Sequence, residues 1–175
     1  MKNEDIKIGD IVCWGVTKKS DWFSRLLAWY FVRFGQGGSS NKQSYSHSAI
    51  YAGYKYNKHW VFESTWPLSR LYYIPDSDLE NYIITVFRLE NFSGSEIDKI
   101  MEWGYINSGK LYDILEIITF GLINLKPWNT CSEFVKQAYL DCFDLLLGKP
   151  KEYLLSPNEL VYQTKNIEKV CIIEP

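Results

Sequence analysis

The stretch NTCSEFVKQAYL, residues 129–140, sets a cysteine at the start of a helix. Thr130 and Glu133 have the T-x-x-E spacing of a capping box, in which the two side chains satisfy N–H groups that a helix start leaves open. Apolar residues follow at Phe134, Val135, Ala138 and Tyr139 and continue through Phe143 and Leu146, with a stop predicted at Gly148-Lys149-Pro150. With Thr130 as N-cap, Cys131 is the first helical residue. The open N–H groups of that turn carry roughly half a positive charge, which favours a thiolate over a thiol. The Cys131 N–H, which has no partner inside the helix, is also aimed where an oxyanion beside the sulfur would form. Cys142 lies mid-helix, and Cys13 and Cys171 lie in strand-like segments. These three are expected to be packing residues.

A thiolate nucleophile needs a partner that takes and returns a proton near neutral pH, and histidine suits that role. The chain has two histidines. His59 is expected on the surface beside Lys58. His47 opens the strand SHSAIYAGY, just after the loop GQGGSSNKQS, and is the candidate base. Its second ring nitrogen needs an acceptor, and Glu63 in the following strand, HWVFEST, is the candidate. A turn centred near Lys55 would make His47 and Glu63 direct cross-strand partners, whereas a turn at Asn57-Lys58 would separate them.

Around this core the chain reads as mixed helix and strand. IKIGDIVCWG, YIITVFRLE and KVCIIE are strand-like. SDWFSRLLAWYFVRF has apolar residues at helical spacing, with Ser20 as N-cap. SGSEIDKIMEWGYIN, starting near Ser93 or Ser95, and LYDILEIITFGLI read as helices. SPNELVYQ combines a Ser cap, Pro at the first helical position and Glu at the third. No repeat or long linker divides the sequence, so one α+β domain over residues 1–175 is expected.

Composition narrows the function. The net charge is −2 with acids and bases interspersed, which gives nucleic-acid binding no electrostatic support. There is no signal-peptide pattern and no apolar run of about 18 residues, so a cytoplasmic location is expected. The scattered cysteines and two histidines offer no metal-binding spacing, and neither a metal nor an organic cofactor is expected. Aromatic residues make up 17% of the chain, which predicts a core or cleft lined by large flat side chains.

The order IGDIV, SHSAIYAG, VFEST, VFRLE, KLYDI, CSEFV, SPNELV resembles the circularly permuted branch of the NlpC-type papain-like cysteine hydrolases, most closely the YiiX/YaeF-like group. The likeness runs from about Ile8 to Leu160. It implies a nucleophile-bearing helix packed on a small antiparallel sheet, with Cys131 as nucleophile, His47 as base and Glu63 as the third polar residue. Tyr112-Asp113 matches a YD element that lines the cleft or supports it. The expected activity is hydrolysis of an amide, in a peptide or cell-wall-peptide-like substrate, through a thioester. Two alternatives stand beside it. The aromatic segment 20–34, with Arg25 and Arg33, suits contact with a membrane or lipid, and the same Cys-His site would then serve a lipid acyl hydrolase or acyltransferase. The fold would otherwise serve as a non-catalytic peptide- or lipid-binding module.

Overall fold

The computed structural model describes residues 6–34, 43–89, 94–119, 129–148 and 155–173. Its elements, in order, are β1 (Ile11–Val16), α1 (Trp22–Phe34), β2 (Tyr45–Lys55), β3 (Lys58–Ser64), β4 (Ser69–Tyr73), α2 (Asp76–Asn81), β5 (Tyr82–Leu89), α3 (Gly94–Ile106), α4 (Ile114–Ile118), α5 (Cys131–Phe143), α6 (Pro157–Tyr162) and β6 (Ile167–Ile173). The strands form one antiparallel sheet in the order β4-β3-β2-β1-β5-β6.

Strand alternation sends apolar side chains to both faces of this sheet. On one face Ile11, Cys13, Ile50, Phe62 and Phe87 pack with Ile100 of α3, Leu160 of α6, and Phe134, Val135, Ala138 and Tyr139 of α5. On the other, Val12, Trp14, Ala49, Val61 and Val86 pack with Leu79 of α2. α5 thus lies against β2 and β3, with α3 and α6 as its neighbours. The Tyr139 hydroxyl donates to the Gly9 carbonyl and fixes the middle of α5 to the entry of β1.

The β2–β3 hairpin settles the register. Its turn residues Tyr56 and Asn57 both have positive φ, 54° and 58°, the backbone of a type I′ turn. Lys55 therefore faces Lys58. Past a one-residue bulge at Ala52, Glu63 faces Ala49. The direct pairing of His47 with Glu63 does not form. The two are diagonal neighbours on one face, a spacing that long side chains bridge.

Four sequence expectations change in detail. The cap of α1 is Asp21, whose Oδ1 accepts the Ser24 N–H at 2.9 Å. The Ser20 hydroxyl instead accepts the Thr17 N–H and donates to the Asn81 carbonyl. α5 ends at Phe143, before Gly148, because Asp144 turns left-handed at φ 54° and its N–H returns to the Leu140 and Tyr139 carbonyls. α4 covers only Ile114–Ile118 of the predicted helix from Leu111, its start fixed by the Asp113 side chain accepting the Glu116 N–H at 2.9 Å. β4 and α2 were not expected. Ser93, most of the loop GQGGSSNKQS and the end of LYDILEIITFGLI lie outside the described residues. No helix among the described residues is long and apolar enough to cross a membrane.

The seat of α5 should be the most sensitive part of this core. Phe134 is fully buried and meets Trp103 edge-on at 4.9 Å between ring centroids. Phe134→Ala is expected to lower the unfolding free energy by about 3–5 kcal/mol in urea titration.

Candidate active site

Local chemistry builds the start of α5. Thr130 has the extended backbone of an N-cap, φ −72° and ψ 172°. The Glu133 carboxylate accepts the Thr130 N–H at 3.0 Å and the Thr130 hydroxyl at 3.2 Å. The residue before the cap is pinned as well. The Asn129 carbonyl accepts the Ser64 hydroxyl at 2.9 Å and the Asp113 N–H at 3.4 Å. The Ser132 hydroxyl meets the Ser48 hydroxyl of β2 at 3.3 Å. The first turn of α5 is thereby fastened to the ends of β2 and β3.

These contacts bring the three predicted residues together. His47 Nε2 lies 2.9 Å from Glu63 Oε2, which leaves Nδ1 for the neighbouring Cys131, and the two side chains act on each other's ionisation. The Trp14 ring packs on the imidazole at 5.0 Å and is itself held by Asp78, whose Oδ2 accepts the indole N–H at 2.9 Å. Cys131 is 4% exposed, Glu63 is buried, and the His47 side chain is 22% exposed. His59 stays apart on β3, with Nδ1 at 2.8 Å from the Tyr51 hydroxyl. It is half-buried, which corrects the expectation of a surface residue.

The electrostatics favour an ion pair. Burial works against charge on His47, but its hydrogen bonds to Cys131 and Glu63 and their charges outweigh that, raising its pKa from 6.5 to about 10. Burial likewise opposes a thiolate at Cys131. The His47 hydrogen bond and charge, the Ser48 backbone N–H and the Ser132 hydroxyl overcome it and bring the thiol below its ordinary 9.0. Cys142 provides the contrast: burial and the neighbouring Asp141 push it up to about 11. Burial also raises the Cys13 thiol well above its usual range, and the nearby Cys131 adds to that.

Two participants, Arg70 and the Ser48 N–H, were not singled out from the sequence, and a third, Tyr112, was expected only to line or support the cleft. Arg70 stands directly across from Glu63 on β4, and its Nε donates to Glu63 Oε1 at 2.9 Å. Its guanidinium lies 4.0 Å from the centre of the Tyr72 ring. Glu63 is thus gripped on both oxygens. Burial alone would raise its pKa, and His47 and Arg70 together lower it. The alternation Arg70, Tyr72 against Leu71, Tyr73 was the available signal for β4. Tyr112 is bridged to Asn129 and brings its hydroxyl near Cys131. Burial first, then the charges of Cys131, Glu133 and Glu116, keep that hydroxyl protonated far above its usual range. The Ser48 N–H is a backbone group that no residue pattern marks.

A cleft of about 260 Å³ opens beside the imidazole, bordered by Trp14, His47, Glu63, Arg70, Asp78 and Ser24 of α1. Among the described residues no group of three or more His, Cys, Asp or Glu side chains is arranged to hold a metal ion. Glu63 fits poorly as a metal ligand, since both its oxygens are engaged by His47 and Arg70.

Two results follow for solution. The His47 imidazolium signal in NMR should persist through neutral pH and titrate near 10. Arg70→Gln should raise the Glu63 pKa and weaken the imidazolium. Because Arg70 is 46% exposed, the loss in Cys131 alkylation rate at mildly acidic pH should be only two- to fivefold, roughly the scale of a half-exposed ion pair.

No protein-family model and no curated protein matches the sequence. Among solved structures, the crystal structure of the metalloprotein YiiX from Escherichia coli O157:H7 superposes with a TM-score of 0.66 at 18% identity, over 98% of this chain and 99% of that one. The chain therefore has a YiiX-like α+β fold.

Proposed function

We propose that the protein is a cysteine hydrolase that cleaves an amide bond, in a peptide or cell-wall-peptide-like substrate, on a permuted papain-like fold of the NlpC type. The observation that carries this reading is the His47–Glu63 hydrogen bond set beside Cys131 by the Ser48–Ser132 contact at the start of α5. A further support is the chain order, with the histidine strand β2 ahead of the cysteine helix α5.

In this mechanism the Cys131 thiolate attacks the carbonyl carbon while His47 carries the proton. The tetrahedral oxyanion accepts hydrogen bonds from the Cys131 N–H and from the Tyr112 hydroxyl, both beside the sulfur. The intermediate collapses to a thioester as the imidazolium gives its proton to the departing nitrogen. Water then attacks the thioester with His47 as base, releasing a carboxylate and restoring the resting pair. Glu63 holds the imidazole orientation and balances its charge, and Arg70 keeps Glu63 ionised. Trp14 covers the imidazole and limits water around it.

A second reading keeps this chemistry and changes the substrate to a lipid acyl ester or amide. The exposed aromatic side chains of α1, next to the cleft, favour it. A non-catalytic binding module is disfavoured, because the Ser48–Ser132 contact sets Cys131 next to the His47–Glu63 pair.

The test is covalent. Iodoacetamide at about pH 6 should label Cys131 well ahead of Cys13, Cys142 and Cys171. Activated acyl esters and amides should leave an acyl mass on Cys131, and Cys131→Ser should lose turnover by roughly 10³-fold or more. Equal labelling of the four thiols, or turnover that survives Cys131→Ser, would refute the proposal.

A further inference from the structure

α1 is apolar on two opposite sides. Ala28 and Phe31 are buried. Trp22, Leu26 and Trp29, spaced i, i+4, i+7, form the opposite stripe and are 73%, 47% and 59% exposed. A helix that packs by one face ordinarily carries polar residues on the other. Exposed Trp and Leu at this spacing are the pattern of a helix lying in a lipid interface.

Charge favours lipid over a protein occupant. Lys18 and Lys19 precede the helix, and Arg25 lies on the exposed side near Trp22 and Trp29. None of these three forms an ion pair among the described residues. The neighbouring acid, Asp21, is taken up by the Tyr82 hydroxyl and the Ser24 N–H. The exposed side of α1 is therefore apolar and locally basic, although the whole chain carries −2.

A second exposed apolar edge stands across the cleft. Leu68 and Leu111 are bridged, and Trp66, Leu115 and Ile118, close to them in the chain, are exposed as well. Ser24 of α1 and Thr65, next to Trp66, both border the cleft that holds His47. Both exposed apolar stretches thus adjoin residues that border one opening.

We infer that this rim docks on a lipid bilayer bearing anionic headgroups. Trp22, Leu26 and Trp66 enter the acyl boundary, Lys18, Lys19 and Arg25 meet the phosphates, and the cleft opens at headgroup level. Docking itself needs no catalysis. If the hydrolase reading holds, docking narrows the substrate to the amide or ester of an amphiphile presented at the surface.

The experiment uses the full chain with Cys131→Ser, co-sedimented with vesicles of phosphatidylcholine, with or without phosphatidylglycerol. The protein should partition onto the phosphatidylglycerol vesicles, and added salt should weaken this. Trp22→Ser/Leu26→Ser and, separately, Lys18→Gln/Lys19→Gln/Arg25→Gln should each reduce partitioning by about tenfold or more. All these side chains are exposed, so unchanged circular dichroism and melting will verify that the variants fold. Three results would overturn the inference. One is no partitioning onto either vesicle, and another is partitioning that neither variant changes. The third is a dimer in light scattering that Trp22→Ser/Leu26→Ser dissolves without any vesicle binding, which would make the rim a self-association surface. Vesicle binding without preferential Cys131 labelling would leave docking intact and remove the hydrolase reading.

Discussion

The Asn129 carbonyl accepts a hydrogen bond from the Ser64 hydroxyl at the end of β3, and every feature of the site depends on that anchor. It fixes the chain two residues before Cys131 and so fixes where α5 begins. The Ser48–Ser132 contact makes a second fastening to β2. With both strands tied to the same helical turn, residues far apart in sequence share one small volume. His47 comes from β2, Glu63 from β3, Arg70 from β4, Tyr112 from the segment before α4, and Cys131 from α5. A sulfur at a frayed or displaced helix start would lose the imidazole, the Ser48 N–H and the Tyr112 hydroxyl together.

Charge is distributed along that anchor in alternating sign. Arg70, Glu63, His47 and Cys131 form a row in which each group steadies the next. Burial alone would neutralise both Glu63 and Cys131, since a low dielectric disfavours any isolated charge. The row opposes this because Glu63 meets His47 and Arg70 at 2.9 Å and the His47 charge acts on Cys131. Its outer end is half-exposed at Arg70, where solvent screens the interaction, and its inner end is closed at Cys131.

Much of this was legible in the sequence, and the physical reasons are local. The capping box at Thr130 and Glu133 announces the start of α5 within four residues. The alternation in SHSAIYAGY and HWVFEST announces a hairpin. The register was not legible, because it rests on a bulge at Ala52 and a type I′ turn built on Tyr56-Asn57, and Tyr is not a residue that marks such turns. β4 escaped notice because it is five residues long and follows a proline, so its identity comes from its partner β3. Asp21, not Ser20, caps α1 because the Ser20 hydroxyl is drawn to Thr17 and Asn81, a tertiary contact that adjacent residues do not encode. Arg70 became a site residue only when the fold set it beside Glu63, whereas Tyr112 was already marked by the YD element as lining or supporting the cleft.

The central claim is that His47 stabilises the Cys131 thiolate and brings the thiol pKa below its ordinary 9.0. Ultraviolet titration of thiolate absorbance, taken as the difference between the native protein and Cys131→Ser, measures this directly. The account predicts a thiolate signal that develops below pH 9.0, is absent from Cys131→Ser and moves to higher pH in His47→Ala. A difference signal that develops only near the ordinary thiol pKa of 9.0, and that His47→Ala leaves unchanged, would contradict it.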